Sequence, residues 1–218
     1  MYYFAVGDIH GCFDKLSKLL RQCHLRSKGH DYRLIFLGDY VDRGPSTRLV
    51  VDLLMSLQLA DREHHVFLRG NHEQMLLGAV QHAEKQAYWF SNGGEQTLKS
   101  YDVASVHDIP VDHISWFRSL PYSFDDGKRF YDHAGVRPGK RLDKQGREDM
   151  IWIREPFLSS KRLMKRLVVH GHTPTADGRP EIMQNRINLD TGAVYGGPLT
   201  AAIFNDEVPG PIDFLQSQ

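Results

Sequence analysis

The sequence predicts an α/β fold: strand–loop–helix units build one sheet, a second and mostly antiparallel sheet packs on it, and helices lie outside. Three observations carry this. In the first half, short apolar runs alternate with stretches whose apolar residues recur at helical spacing. Three of those runs end on glycine-flanked polar strings, Gly7-Asp8-Ile9-His10-Gly11, Gly38-Asp39-Tyr40-Val41-Asp42-Arg43-Gly44 and Gly70-Asn71-His72-Glu73. The second half changes to short strand-like pieces separated by turns.

The elements follow in order. Residues 2–6 read as a strand and 13–23 as a helix, with Phe13, Leu16, Leu19 and Leu20 on one face. Residues 32–37 form the second strand. Ser46 or Thr47 can cap a helix running to about residue 59 through Leu49, Val50, Leu53, Leu54 and Leu57. Residues 65–68 make the third strand and 73–83 the third helix. Right-handed crossovers between such units place all three polar strings along one edge of the sheet. Residues 88–101 and 110–120 predict short aromatic-rich helices, the first broken by a turn at Asn92-Gly93-Gly94. Strands are expected at 122–124, 129–132, 166–170, 186–189 and 199–204, with turns at Asp125-Asp126-Gly127-Lys128 and Gly196-Gly197-Pro198. At 218 residues, without linker, repeat or low-complexity segment, a single domain over 1–218 is expected.

Composition narrows the function. Lys+Arg and Asp+Glu each number 27, so the basic excess of a general nucleic-acid binder is missing. No apolar stretch approaches membrane-spanning length, and Met1-Tyr2-Tyr3-Phe4-Ala5-Val6 lacks the basic start of a signal peptide. Cys12 and Cys23 on one helix would sit about 16 Å apart, beyond disulfide reach. Reduced thiols and a cytoplasmic location are the expectation. Neither cysteine can be the nucleophile of a Cys-dependent phosphatase, which needs an Arg six positions on. Lys18 and Gly29 stand there.

Asp, His and Asn at successive strand ends suit divalent cations, and two further histidines join them in Asp132-His133-Ala134-Gly135 and His170-Gly171-His172-Thr173. The candidate ligands are Asp8, His10, Asp39, Asn71, His133 and His172. Such a set exceeds one four-coordinate structural zinc and suits two cations bridged by a carboxylate. Asp39 is the natural bridge, because its strand lies between the other groups. His170 reads as structural rather than ligating. His64, His65, His24, His82, His107 and His113 have no motif around them, and Tyr88, Trp89 and Phe90 read as core.

In order, GDIHG, GDYVDRG, LRGNHE, HAG and GHT resemble the metallophosphoesterase motifs of the phosphoprotein phosphatase family, over residues 7 to about 200. The length, Asn92-Gly93-Gly94 and Ile151-Trp152-Ile153-Arg154-Glu155 look closest to its phage and bacterial branch. The resemblance implies two mixed β-sheets packed as a sandwich flanked by helices, with a dimetal site at strand ends. It implies that Asp8, His10 and Asp39 hold one metal and that Asp39, Asn71, His133 and His172 hold the other. It further implies that Arg43 and Arg154, with Asn71 and His72, bind the phosphate, and that His72 is a general acid oriented by Asp42. Mn²⁺ is favoured by the mixed donors, with Fe²⁺ or Zn²⁺ as substitutes. A related stretch in the family puts Tyr195 near the phosphate. Direct attack by a metal-bridging hydroxide would then need no covalent intermediate. The leading expectation is hydrolysis of phosphoserine or phosphothreonine in a protein or peptide partner, with phosphotyrosine a further candidate. The alternative is hydrolysis of dinucleoside polyphosphates, which the same motifs serve.

Overall fold

Residues 1–61 and 63–217 are described by the computed structural model of the chain. The parallel units form as the sequence predicts. Strand β1 (Tyr2–Val6) pairs with β2 (Tyr32–Phe36) in register Tyr2↔Tyr32 to Val6↔Phe36, and β2 pairs with β3 (Val66–Phe67). Between them run α1 (Phe13–Ser27) and α2 (Thr47–Ala60), and β3 leads into α3 (Asn71–Gln81). Helix α1 continues a turn past the expected end, because Cys23 and Ser27 extend the buried stripe of Leu16 and Leu19. Lys28 closes it in the left-handed region at φ 50°. Helix α3 starts two residues earlier than predicted, so Asn71 and His72 sit in its first turn.

The aromatic-rich middle forms α4 (Gln86–Ser91), α5 (Gly94–Tyr101) and α6 (Val111–Ser119), broken near Asn92 as expected. Next come the hairpin β4 (Ser123–Asp125) and β5 (Arg129–Asp132), then α7 (Arg147–Trp152). Then follow β6 (Leu167–His170), β7 (Glu181–Ile182), β8 (Arg186–Asn188), β9 (Thr200–Phe204) and β10 (Asp213–Gln216). The sequence pattern does not announce α7, β7 or β10. They are short, and too few residues repeat for a period to show.

Two expectations about the second half need correction. Strand β9 belongs to the first sheet, whose order is β10-β9-β1-β2-β3, antiparallel to β1. All five β9 residues are buried, and the small Ala201 and Ala202 let it lie between helices and second sheet. The second sheet, β4-β5-β6-β8-β7, is not mostly antiparallel: β5, β6 and β8 are parallel, with antiparallel strands only at its edges. Both sheets are therefore mixed: the parallel strands β1, β2 and β3 run to one edge of the first, and β5, β6 and β8 form the parallel centre of the second.

Strand alternation builds the layers. Ala5, Ile35, Ala202 and Phe204 face Tyr131, Val169 and Ile187 across the sandwich. Their neighbours Phe4, Val6, Leu34, Phe36 and Ile203 face the helices, against Leu16, Leu19, Val50 and Leu54. On the far side Phe130 and Val168 meet Met150, Ile153 and Phe157. The parallel strands send their C-terminal ends toward one edge, where loops of α/β sheets collect ligands. Among the described residues no helix is long and apolar enough to cross a membrane.

Candidate metal centre and active site

The first two polar strings and the loop at His172 leave their strand ends through left-handed backbone, whereas the third, Gly70-Asn71-His72-Glu73, runs straight into α3. His10, Asp39, Asp42, Arg43 and His172 all have positive φ, between 45° and 70°. Non-glycine residues held there are strained, and such strain gathers at functional sites. Close approach of the loops requires glycine at two positions. A Cβ on Gly44 would lie 1.9 Å from the His10 carbonyl oxygen, and one on Gly70 would lie 2.2 Å from Asp39 Oδ1.

Asp39 is the hub, as its place in the sheet implies. Its Oδ2 lies 3.4 Å from His10 Nε2, 3.4 Å from His133 Nε2 and 4.0 Å from His72 Nε2. Its Oδ1 accepts from the His72 backbone N–H at 3.0 Å. Asn71 Oδ1 lies 2.8 Å from His133 Nε2 and 2.9 Å from His172 Nδ1. Two sets of donor atoms could each hold a metal, His10/Asp39/His72 and Asp39/His133/His172, and Asp39 belongs to both. His72 thus stands in the first group, whereas the Asp8 carboxylate accepts from the His172 backbone N–H at 3.1 and 3.2 Å.

The donor set fits two cations. Nδ1–H of His10 donates to the Val41 carbonyl at 2.8 Å, and Nδ1–H of His133 to that of Leu37 at 3.0 Å. These bonds fix the tautomer that leaves each Nε2 lone pair facing Asp39. His172 Nε2 is buried without a hydrogen-bond partner. Electrostatics agree. Burial, and then the Asp190 charge, push Asp8 well above the usual carboxylate range. Burial alone would raise Asp39 too, but the His133 and His72 imidazoles hold it well below. Burial disfavours charge on His133, yet Asp39 outweighs it and holds that imidazole up to about 10. Burial and His133 push His172 down to about 2. The clustered buried carboxylates thus demand positive charge at this spot, which a bound cation would supply.

Beside this cluster, His72 Nδ1–H donates to Asp42 Oδ2 at 2.7 Å, and both side chains are buried. Burial lowers His72 below the ordinary imidazole range, against an upward pull from Asp39 and Asp42. Arg43 lies 2.7 Å from His10 Nε2 through Nη1, and its guanidinium lies 5.7 Å from the ring centre of exposed Tyr195. Arg154 is exposed after α7, close enough that its charge helps depress His172. All the sequence-predicted site residues thus gather at one edge. His170 stays apart from both donor groups, with Nδ1 3.0 Å from the Gly171 carbonyl and Nε2 3.4 Å from Arg186 Nη1.

Three supports escape sequence reasoning. The Trp89 indole N–H donates to both Asp42 oxygens at 2.9 and 3.0 Å, and the Thr97 hydroxyl donates to Oδ1 at 2.8 Å. Trp89 is core, as its sequence context suggests, but also part of the site; a contact across 47 positions leaves no local signal. Glu73 accepts backbone N–H groups from Asp39, Tyr40, Val41 and Gly70, tying the second and third polar strings together. Its spacing from Gly70 is that of a capping box, which could have revealed the bond to Gly70.

Comparison with known proteins adds the family. The profile of the calcineurin-like phosphoesterases matches residues 1–204. The chain is 30% identical to the asymmetrical bis(5'-nucleosyl)-tetraphosphatase PrpE of Anoxybacillus flavithermus, over 92% of this chain and 89% of that one. It is 31% identical to serine/threonine-protein phosphatase 1 of Salmonella typhimurium, over 92% and 91%. The crystal structure of a candidate diadenosine tetraphosphatase superposes with a TM-score of 0.74 at 26% identity, covering 100% of this chain and 94% of that one. These relatives correct the leading expectation of a phosphoprotein substrate: the nucleosyl-tetraphosphatases favour the alternative. The motifs could not separate the two, because both reactions expel an oxygen from phosphorus at the same kind of metal-ready site. Motif order, sheet topology and the matched profile agree, and the chain belongs to the calcineurin-like phosphoesterase family.

Proposed function

We propose that this chain is a metal-dependent hydrolase of dinucleoside polyphosphates, acting as a single domain and cutting bis(5'-nucleosyl) tetraphosphates asymmetrically. The observation that carries the reading is the shared Asp39 between two metal-ready donor groups, set beside the His72–Asp42 pair. The tetraphosphatase relatives supply the substrate class. Asp8, His10 and Asp39 would hold one cation, and Asp39, Asn71, His133 and His172 the other, with Mn²⁺ the proposed occupant. When bound, the cations would neutralise phosphate charge and make water more acidic. Free Cys12 and Cys23 suit a reducing cytoplasm.

The chain's own residues have separate tasks. Arg43 and Arg154 would hold non-bridging phosphate oxygens, for which planar guanidinium is well shaped. Asn71 would add its carboxamide N–H as a further donor to the phosphate. Water adds its oxygen to phosphorus, the bridging P–O bond breaks, and His72 would give a proton to the departing oxygen. Asp42 keeps His72 Nε2 turned toward Asp39 and the reacting group by binding its other nitrogen. Trp89 and Thr97 keep Asp42 in place.

The test compares rates on diadenosine tetraphosphate and on phosphopeptides with Mn²⁺, separating the products by chromatography. Equal amounts of AMP and ATP are expected. Faster turnover of phosphopeptides, or ADP as the sole product, would refute the proposal.

A further inference from the structure

A cavity of about 630 Å³ opens next to the site, between the segment after α7 and the loop joining β6 to β7. Its wall begins at Thr173, the residue after His172, and at Glu155, the residue after Arg154. The cavity wall therefore lies one residue along the chain from both Arg154 and His172, and its volume falls in the range of small-molecule pockets.

Its lining is wrong for phosphate and right for a nucleoside. Three carboxylates, Glu155, Asp177 and Glu181, stand against two guanidinium groups, Arg179 and Arg186. Arg186 is already engaged, donating to Glu181 at 2.6 Å and to the Leu158 carbonyl at 3.0 Å. An excess of negative charge repels a polyphosphate but accepts the amino group of a base and the hydroxyls of a ribose. Apolar surface is present for the base itself: Ile182 is 57% exposed and Met183 42% exposed on this wall. The hydroxyls of Thr173 and Thr175 also lie in the wall without a partner in the fold.

We propose that this cavity holds one nucleoside of the dinucleoside polyphosphate and so sets where the chain is cut. The inference rests on the substrate class proposed above. An asymmetrical cut falls one phosphate from a nucleoside, whereas a symmetrical cut falls two away. A nucleoside seated immediately beyond Arg154 and His172 brings its own phosphorus, rather than the midpoint of the chain, within reach of His72. Attack there forms the new P–O bond on the monophosphate and releases the triphosphate, which takes the proton.

The experiment titrates adenosine into ¹⁵N-labelled protein and follows the amides of residues 155–159 and 173–183. In parallel, steady-state kinetics are measured on diadenosine tetraphosphate and on p-nitrophenyl phosphate, which has no nucleoside. Saturable shifts at those amides are expected. The filling variant Ala176→Trp should weaken adenosine binding and raise KM for the dinucleotide, each about tenfold, with turnover of p-nitrophenyl phosphate unchanged. Ile182→Ala, a trim of an exposed side chain, should act in the same direction by about threefold. Shifts centred on Tyr195, no saturable shifts, or unchanged constants in both variants overturn the cavity assignment. If the wild-type protein binds adenosine here but leaves diadenosine tetraphosphate intact, the proposed reaction falls and the nucleoside site stands. Asymmetrical cleavage with a silent cavity keeps the reaction and removes the nucleoside site.

Discussion

Replacing Trp89 by Phe tests how the His72–Asp42 pair is held. Asp42 is fully buried, and its two oxygens receive His72, Thr97 and both branches of the Trp89 N–H contact. A hydrogen bond to a charged group contributes about 1.5–3 kcal/mol. The smaller ring leaves a void costing roughly 1 kcal/mol more, so Trp89→Phe should lose about 2.5–4 kcal/mol. Trp116 provides an internal control, being buried to a similar degree and donating to the neutral Gln58 side chain at 2.6 Å. Trp116→Phe loses the same ring volume but only a neutral bond, about 0.5–1.5 kcal/mol. Urea denaturation of both variants in EDTA should therefore place Trp89→Phe below Trp116→Phe by about 1–1.5 kcal/mol. Turnover should fall only in the Trp89 variant, whose Asp42 is free to shift. Equal losses of stability in the two variants would refute the idea that the indole steadies a buried carboxylate.

Other outcomes follow from the same geometry. Asp39→Asn, which weakens both donor groups at once, should abolish turnover and lower bound metal by mass spectrometry; retained activity would remove the two-cation assignment. His72→Asn should keep most of the metal and slow alkyl phosphate hydrolysis by about 10²–10⁴, with a smaller effect on diadenosine tetraphosphate, whose leaving group is a stabilised phosphate anion. Loss of metal instead would make His72 a ligand, since it stands in the first donor group. Gly44→Ala drives a Cβ into the His10 carbonyl and should cost about 1–3 kcal/mol, read as a Tm lower by at least about 3 °C. Burial holds the Cys23 thiol up to about 12 from an ordinary 9.0. The folded state keeps that proton longer than the unfolded chain, so this stabilisation is present below pH 9 and fades as pH rises toward 12. Denaturation series across that window should show a slope shallower by up to about 1.4 kcal/mol per pH unit in Cys23→Ala.

The legible parts of the chain are those with a local signature. Strands β1 and β2 read out because apolar runs of strand length stop at glycine. The ligand candidates read out because each follows such a run within a few residues. Helix α1 reads short from sequence because only the buried state of Cys23 and Ser27 shows that the stripe continues. Strand β9 reads into the wrong sheet because its all-buried run, Thr200–Phe204, fits the middle of either one. Pairing is chosen by partners far along the chain, here Tyr3↔Phe204 to Val6↔Ala201.

By itself the sequence determined the α/β layering and the family motifs, and it named the candidate cation donors and the roles proposed for Arg43 and His72. Period, glycine placement and donor type are properties of neighbouring residues, so they survive without coordinates. Only the tertiary structure decided which sheet takes β9, that Trp89 and Thr97 serve Asp42, and that Glu73 ties two loops together. It alone showed a cavity beside Arg154 and His172. These depend on side chains tens of positions apart meeting at one sheet edge, and no local pattern records such a meeting.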